Sequence, residues 1–409
     1  MERKKMRQFH RKALTIGIIM LFFGAFGILI FGRNISQVKA QATIYVDDDN
    51  TSGPWDGSLT NPYQYIQEGI NAASNGDTVH VLDGTYSENV VLNKSITLQG
   101  DPLTPVIDGM GGTGINVTGF ELTAYGITVD GFNITNASYG ISFELRDIEN
   151  LNDISVNMGD IIFTRNTINA TSPGIYIYVY NVGYNMSGIA SVVIGDIRVS
   201  NNTIYSSDTG IEVAEFYYLG NYMYDTSSFT MGNLELTNNT ITSLFEGLYL
   251  DYLGYFGYMM YNASSFAIGD FLVNDNTIHS TYEGIYVYEF TEIGYYMYDN
   301  STFAMGDIQF NDNTIHSNHY GIYVDYFDYF GEDLYGSSSW MMGNIELCRN
   351  EINSTYEGIY VYEFYDFGYD RYDDSISTMG SILINDNLIH SGDEGIYVYY
   401  FEYFGEDMY

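Results

Sequence analysis

A single cysteine, Cys348, stands in a chain of 409 residues. No disulfide can close within the chain, so its stability must come from packing and hydrogen bonds. Proline is almost as scarce, at five residues, and Lys and Arg together number 14 against 52 Asp and Glu. The few basic residues are also unevenly placed. Eight of them (Arg3, Lys4, Lys5, Arg7, Arg11, Lys12, Arg33 and Lys39) fall within residues 1–42 beside one acid, Glu2, which leaves six bases against 51 acids and a formal charge of −45 beyond that point. Such a surface repels nucleic acid and anionic lipid, which excludes both as partners for the body of the chain. It attracts metal cations, basic proteins or neutral sugars; a saline habitat would select the same acidity. Helical periodicity is missing as well: past residue 80 no apolar run follows the helical period and no capping string occurs.

What the chain has instead is 42 Tyr, 24 Phe and 43 Gly, the residues of strands and of the tight turns between them. Its N-terminus is built for export. The basic residues up to Lys12 precede an uncharged run from Ala13 to Gly32, and Ala40-Gln41-Ala42 resembles a small-x-small cleavage site. The run is long for a signal peptide and long enough to span a bilayer, so residues 1–42 read as a signal peptide or a membrane anchor. Either way the positive charges on the N-terminal side put the rest outside, at the cell surface or secreted, with the membrane reached only through this segment. Twelve Asn-x-Ser/Thr sequons beyond residue 42, among them Asn116, Asn201, Asn262 and Asn353, are compatible with a glycoprotein.

From Gly140 the chain repeats. A Gly-Ile/Leu pair recurs at Gly140, Gly174, Gly210, Gly247, Gly284, Gly321, Gly358 and Gly395, with spacings of 34, 36 and then 37 residues. Further glycines keep the same beat, at Gly220, Gly257 and Gly294 and at Gly232, Gly269 and Gly306, as do Asn166, Asn202, Asn239, Asn276, Asn313, Asn350 and Asn387. Ser280–Phe290 reappears unchanged at Ser354–Phe364, two units on, which indicates duplication in pairs. Within a unit the apolar period is two, as in half-buried strands. Short strands that cannot close their own core must stack on the next unit, so the pattern predicts a solenoid. One Asn per unit then stacks into an internal amide ladder. A propeller, the rival for repeats of this size, needs antiparallel turn signals at every corner.

The string Asn313-Thr-Ile-His-Ser…Gly321-Ile-Tyr-Val resembles the coil signature of right-handed parallel β-helix proteins of the pectin-lyase-like superfamily. The segment from Ile44-Tyr-Val-Asp-Asp-Asp to Asp77-Thr-Val-His-Val-Leu-Asp-Gly-Thr-Tyr is similar to the start of such proteins on archaeal and bacterial surfaces. The resemblance implies an all-β right-handed parallel β-helix over residues 43–409, with a short N-terminal helix covering the first coil. That helix is expected with Asn61 as its cap, Pro62 in its first turn and Gly76 as its stop. Residues 43–139 would form the cap and first coils, and 140–409 the 37-residue coils, the last one truncated at Tyr409. Because 37 residues exceed the family's usual coil, a wider section or a projecting hairpin is expected, its tip at Asp299-Asn300-Ser301-Thr302. A last repeat that stops partway through its unit is expected to mean that the chain continues; otherwise the uncovered coil would favour self-association.

No catalytic motif of the family is present: neither a Gly-His-Gly nor an Arg-Ile-Lys string occurs, and the few exported bases lie in no recognisable pattern. Stacked positions are the candidates instead. Tyr249, Tyr286, Tyr323, Tyr360 and Tyr397 should form one outward column, joined by Tyr288, Tyr362 and Tyr399 into an apolar patch of the kind that marks interaction surfaces. Acids stack too, as Glu246 with Glu283, Glu357 with Glu394, Asp270 with Asp307 and Asp160 with Asp196; such pairs either raise their pKa or recruit a hard cation, which makes Ca2+ the expected cofactor if there is one. His279, His316 and His390 share a repeat position, but only the first two lie on adjacent coils and no third ligand joins that pair, so they read as surface polar residues. The sequence therefore points to a surface β-helix that binds a glycan or a surface protein. The alternative is a polysaccharide-processing lyase or glycoside hydrolase. A cluster of carboxylates in an outward groove would favour the enzyme, and a flat aromatic face the binder.

Overall fold

The computed structural model describes residues 41–102, 104–368 and 370–404, and Ala42–Tyr409 group as one compact unit. The export segment, apart from Gln41 and Ala42, and the end of the last repeat lie outside the described residues. Among those described, no helix is long and apolar enough to cross a membrane.

The protein is an all-β parallel β-helix. One coil runs through Ile308–Gln309, Thr314–Ser317, Ile322–Phe330 and Ser339–Met342, and Ile345–Glu346 then begins the next coil directly above Ile308–Gln309. Four parallel sheets result, of 11, 10, 10 and 7 strands. Sheet I contains Ile308–Gln309, sheet II Thr314–Ser317, sheet III Ile322–Phe330 and sheet IV Ser339–Met342. Sheet III has nine-residue strands in its later coils, as in Leu248–Phe256 and Ile285–Ile293. Sheet IV starts only at Ser155–Met158, so the coils before it have three strands and those after it four. This extra strand is the wider section that the long repeat requires. The expected hairpin does not form: Asp299 and Asn300 make an exposed corner, Ser301 is buried, and Thr302–Met305 enters sheet IV parallel to Ser339–Met342. Parallel and antiparallel strands share the same alternation, which is why sequence periodicity could not separate the two forms.

The core is filled by the inward side of that alternation. Ile285, Val287, Phe290 and Ile293 are fully buried in one coil, and Ile322, Val324, Phe327 and Phe330 lie on them in the next. The Asn ladder is present from Asn166 to Asn387. Asn276 donates through its backbone N–H (3.0 Å) and its Nδ2 (3.1 Å) to Oδ1 of Asn313, and its Nδ2 also reaches the Leu236 carbonyl at 2.8 Å. Asn313 repeats this with Asn350 and Val273. Each amide is thereby satisfied inside the core, as a buried polar group must be. The Gly-Ile repeat has a steric cause: a Cβ on Gly284 would collide with Cγ2 of Ile315 and approach the Gly321 carbonyl.

The helix is shorter than expected, Ile66–Ala72, with Tyr65 at its N-cap position and no side-chain cap bond there. Asn61 instead closes a turn on Ser58. The first helical N–H groups are taken by the carboxylate of Glu88, from Ile66 at 2.8 Å and from Gln67 at 3.0 Å. This long-range acceptor removes the need for a local cap. Ile66 and Ile70 are buried with Val46 and Val79.

Replacing Asn313 with Leu leaves the N–H of Asn276 and the Val273 carbonyl without partners, at a cost of about 1–3 kcal/mol for each buried orphan. The expected outcome is a melting temperature lower by several degrees in circular dichroism; an unchanged melt would contradict the ladder's role.

Candidate functional site

The outward face of sheet III carries most of the unusual chemistry. Tyr249, Tyr286, Tyr323, Tyr360 and Tyr397 occupy one register position on successive strands. Ring centroids are 5.1 Å apart between Tyr249 and Tyr286 and 4.9 Å between Tyr286 and Tyr323, at interplanar angles of 17° and 3°. The stack breaks at Tyr360, turned 77° from Tyr323, where Tyr320 packs against both. All five are half-buried. The parallel rings cover one another's faces, so the first three present edges and hydroxyls outward. Those hydroxyls have acceptors: Tyr249 donates to Asp251 at 2.6 Å, and Tyr286 (3.1 Å) and Tyr323 (3.0 Å) both donate to Asp325. Burial first, and then the neighbouring carboxylate, pushes these three phenols well above their ordinary pKa.

A neighbouring column alternates. Glu215, Tyr252, Glu289, Tyr326, Glu363 and Tyr400 follow one another across the sheet, so the acids are separated by a tyrosine. Toward the end of the sheet III strands, tyrosines pack densely. Tyr217, Tyr218, Tyr255 and Tyr258 are linked ring to ring at 4.4–4.9 Å. In later coils acids enter these same positions. Glu332 stands 37 residues after Tyr295, Asp366 after Tyr329, and Asp328 pairs in register with Thr291. Desolvation pushes the Glu332 carboxyl up to about 8, reinforced by the charges of Asp366, Asp333 and Asp370. Asp328 is raised to about 7 and Asp366 to about 6, burial again being the main cause. Glu212, earlier on the sheet, is raised to about 7 by burial and by Asp251. These four acids were not singled out in the sequence; for Glu332, Asp366 and Glu212 the replacement of tyrosine by acid within a repeat column was the signal available.

The acid pairs expected to hold a cation are disposed differently from one another. Glu246 accepts from the Thr209 hydroxyl at 2.9 Å, whereas Glu283 pairs with His319, so the two have separate partners. Asp270 accepts the backbone N–H of Asp307 at 2.9 Å, and Asp307 that of Asn344 at 2.7 Å, continuing a ladder that begins with Asp160 and Asp196. One oxygen of each is thereby used in joining coils. Arg198 lies against Asp160, Asp196 and Glu235. Glu357 and Glu394 do come together, with Asp393 as a third, their ligand oxygens all within 4.8 Å of one another at a largely exposed corner. Sharing a hydrogen bond with Asp393 raises the Glu394 carboxyl. His279 and His316 lie with ring centroids 4.9 Å apart and tilted by 32°, and Asn353 separates them from His390. Cys348 is buried, its N–H bonded to Asn311 and its thiol to the Leu383 carbonyl.

Two aromatic columns went unnoticed in the sequence. Tyr224, Tyr261, Tyr298, Tyr335 and Tyr372 stack at 4.6–5.0 Å, within 5° of parallel, at the corner before sheet IV. Phe245, Tyr282 and Tyr356 are the more exposed set, between 43% and 46%, with His319 between the last two.

No protein-family model matches the sequence, and no curated protein is similar to it. Among solved structures, a family 28 exopolygalacturonase from Yersinia enterocolitica aligns over 88% of this chain and 78% of its own, with 10% identity and a TM-score of 0.26. So loose a superposition carries no argument about activity.

The raised carboxyls give a pH dependence of defined sign. Between their ordinary values near 4 and their folded values of about 6 to 8, Glu332, Asp328, Glu212 and Asp366 hold protons that the unfolded chain releases. Stability therefore falls as pH rises through that window and levels off above it. Thermal melts in chelator should give a higher midpoint at pH 5 than at pH 8.5, and Glu332→Gln should flatten the dependence.

Proposed function

We propose that this protein is an exported surface β-helix that acts by binding or adhesion, with sheet III as the working face and a hydroxyl-rich ligand, an extended glycan, as its partner. The observation that carries the reading is the tyrosine column repeated at one strand spacing from Tyr249 to Tyr397, with carboxylate acceptors on its first three hydroxyls. Ring stacking on sugars needs open ring faces, and here the neighbours cover them between Tyr249 and Tyr323. The contact is therefore made by edges, phenol hydroxyls, and Asp and Glu as acceptors: a polar comb rather than an aromatic platform. Each single contact is weak, and affinity comes from many engaged at once.

The hydrolase alternative draws its support from the raised carboxyls, because a general acid for glycoside cleavage needs such a value. It also needs to reach the scissile oxygen. Glu332 and Asp366 are only 8% and 6% exposed, which favours the binder.

The test is a glycan array with the exported chain, read alongside reducing-sugar release from every glycan bound. Changing Tyr286, Tyr323 and Tyr360 together to Phe keeps the rings and removes the hydroxyls; at about 0.5–1.5 kcal/mol per hydrogen bond, binding should weaken roughly tenfold or more. Retention of parental binding by both this variant and one with Ser at the same three positions would sink the proposal. Sugar release by the parent would establish the hydrolase instead.

A further inference from the structure

The twelve Asn-x-Ser/Thr sequons beyond residue 42 are sorted by the fold. Asn50 is committed elsewhere: its Nδ2 donates to the carbonyls of Pro62 at 2.7 Å and Pro54 at 3.4 Å, which uses both of its protons. Asn116 and Asn133 are half-buried. Asn93 and Asn262 are exposed, but the serines two residues on, Ser95 and Ser264, are fully buried. Asn136, Asn185, Asn201 and Asn238 sit at left-handed φ between 48° and 58°. Asparagine tolerates that conformation better than most residues, so the backbone accounts for its presence at these four turns.

Three remain, Asn169, Asn300 and Asn353. In each, the asparagine and the threonine two residues on (Thr171, Thr302 and Thr355) are both exposed, and none of the three asparagines has a positive φ. Nor does the fold ask for asparagine there. Asn169 and Asn353 point outward from Thr167–Ala170 and Glu351–Ser354 of sheet II, in strands, which disfavour the residue. The same register position holds Tyr205, Thr242, His279 and His316 on the coils between them. The corner position of Asn300 is taken by Ala263 one repeat earlier and by Ser337 one repeat later. An exposed asparagine with no structural reason, beside an exposed hydroxyl two residues on, is an acceptor for a glycosyl transferase on an exported chain. We propose that Asn169, Asn300 and Asn353 carry N-linked glycans. Transfer joins Nδ2 to the anomeric carbon of a lipid-phosphate-linked oligosaccharide. The N–C bond forms as the C–O bond to phosphate breaks; the phosphate leaves with the electron pair, and the amide gives one proton to a base of the transferase. The modification rests on the export proposed above and on nothing assigned to sheet III. It bears on that sheet all the same, because the sheet III strands from Ile141–Glu149 onward contain no sequon. These sugars therefore stand on sheet II and at the corner before sheet IV, and leave the tyrosine column open.

Glycopeptide mass spectrometry on the full exported chain, recovered from the cells that make it, tests this. Sugar mass is expected on the peptides that contain Asn169, Asn300 and Asn353, and none on the peptide that contains Asn50. Thr171→Ala, Thr302→Ala and Thr355→Ala keep each asparagine, and each should remove the whole added mass at its own site while leaving the other two. Thr355→Ser keeps the hydroxyl and should keep the sugar. All three threonines are exposed, so the variants should fold, which circular dichroism checks; for one that does not, the conservative Ser variant carries the test at that site. An exported chain with these three asparagines bare, sugar retained in the Thr→Ala variants, or sugar on Asn50 would each overturn the assignment. A chain retained inside the cell would overturn it together with the export reading. An exported, bare chain that still binds on the glycan array would overturn it alone.

Discussion

In a parallel coil every side chain lies above its counterpart from the coil before, at roughly 4.8 Å, so each position must tolerate its own kind as nearest neighbour. The rest of the structure follows from how well different residues meet that demand. Asparagine meets it best, because one amide offers both the donors and the acceptor that the next requires, as between Asn276 and Asn313. Aromatic rings meet it by stacking, as the Tyr224 to Tyr372 column does. Glycine meets it where a neighbouring Ile leaves no room for a Cβ, as at Gly284.

Carboxylates meet it worst, and this chain has many of them. Several arrangements keep identical charges from facing each other unprotected. Asp160, Asp196, Asp270 and Asp307 accept backbone N–H groups from the coil above, with Asn233 interposed in the same ladder. Arg198 spreads its charge over three acids. In the column from Glu215 to Tyr400 a tyrosine alternates with each acid, which doubles the distance between charges. Duplication of coils in pairs, visible in the identity of Ser280–Phe290 and Ser354–Phe364, preserves that alternation where duplication of single coils would destroy it. Glu332, Asp328 and Asp366 are raised all the same, by burial first and further by the charges of neighbouring acids.

The coil, the Asn ladder and the first tyrosine column were legible because each rests on strict spacing, and in a solenoid spacing in sequence is adjacency in space. What failed to be legible depends on contacts off the beat. Glu88 caps the helix from about 20 residues away, so Asn61 looked like the cap. The same-position acids were correctly placed as neighbours, but spacing could not reveal that a backbone N–H had already claimed an oxygen of Asp270 or Asp307. Nor could it tell how deeply Tyr286 and Tyr323 sink, which decides whether they present faces or edges.

That last distinction shapes what the surface can recognise. A pocket selects a ligand by its shape, whereas a face built from identical rows selects by period, since a ligand that matches one coil matches the next only if it repeats at the same interval. The matching stretch here has limits set by particular residues. Glu212 occupies the tyrosine position before Tyr249, and the rotation of Tyr360 against Tyr323 interrupts the stack beyond it. Between them lie three rows, Tyr249, Tyr286 and Tyr323, whose hydroxyls are tied to Asp251 and Asp325. A phenol that donates to an acid still has lone pairs to accept from a ligand hydroxyl; Asp251 can accept through its second oxygen, and each oxygen of Asp325, though engaged by a tyrosine, keeps a further lone pair. The face therefore offers acceptors almost without competing donors. It is complementary to a repeating chain of hydroxyls and mismatched to one of carboxylates.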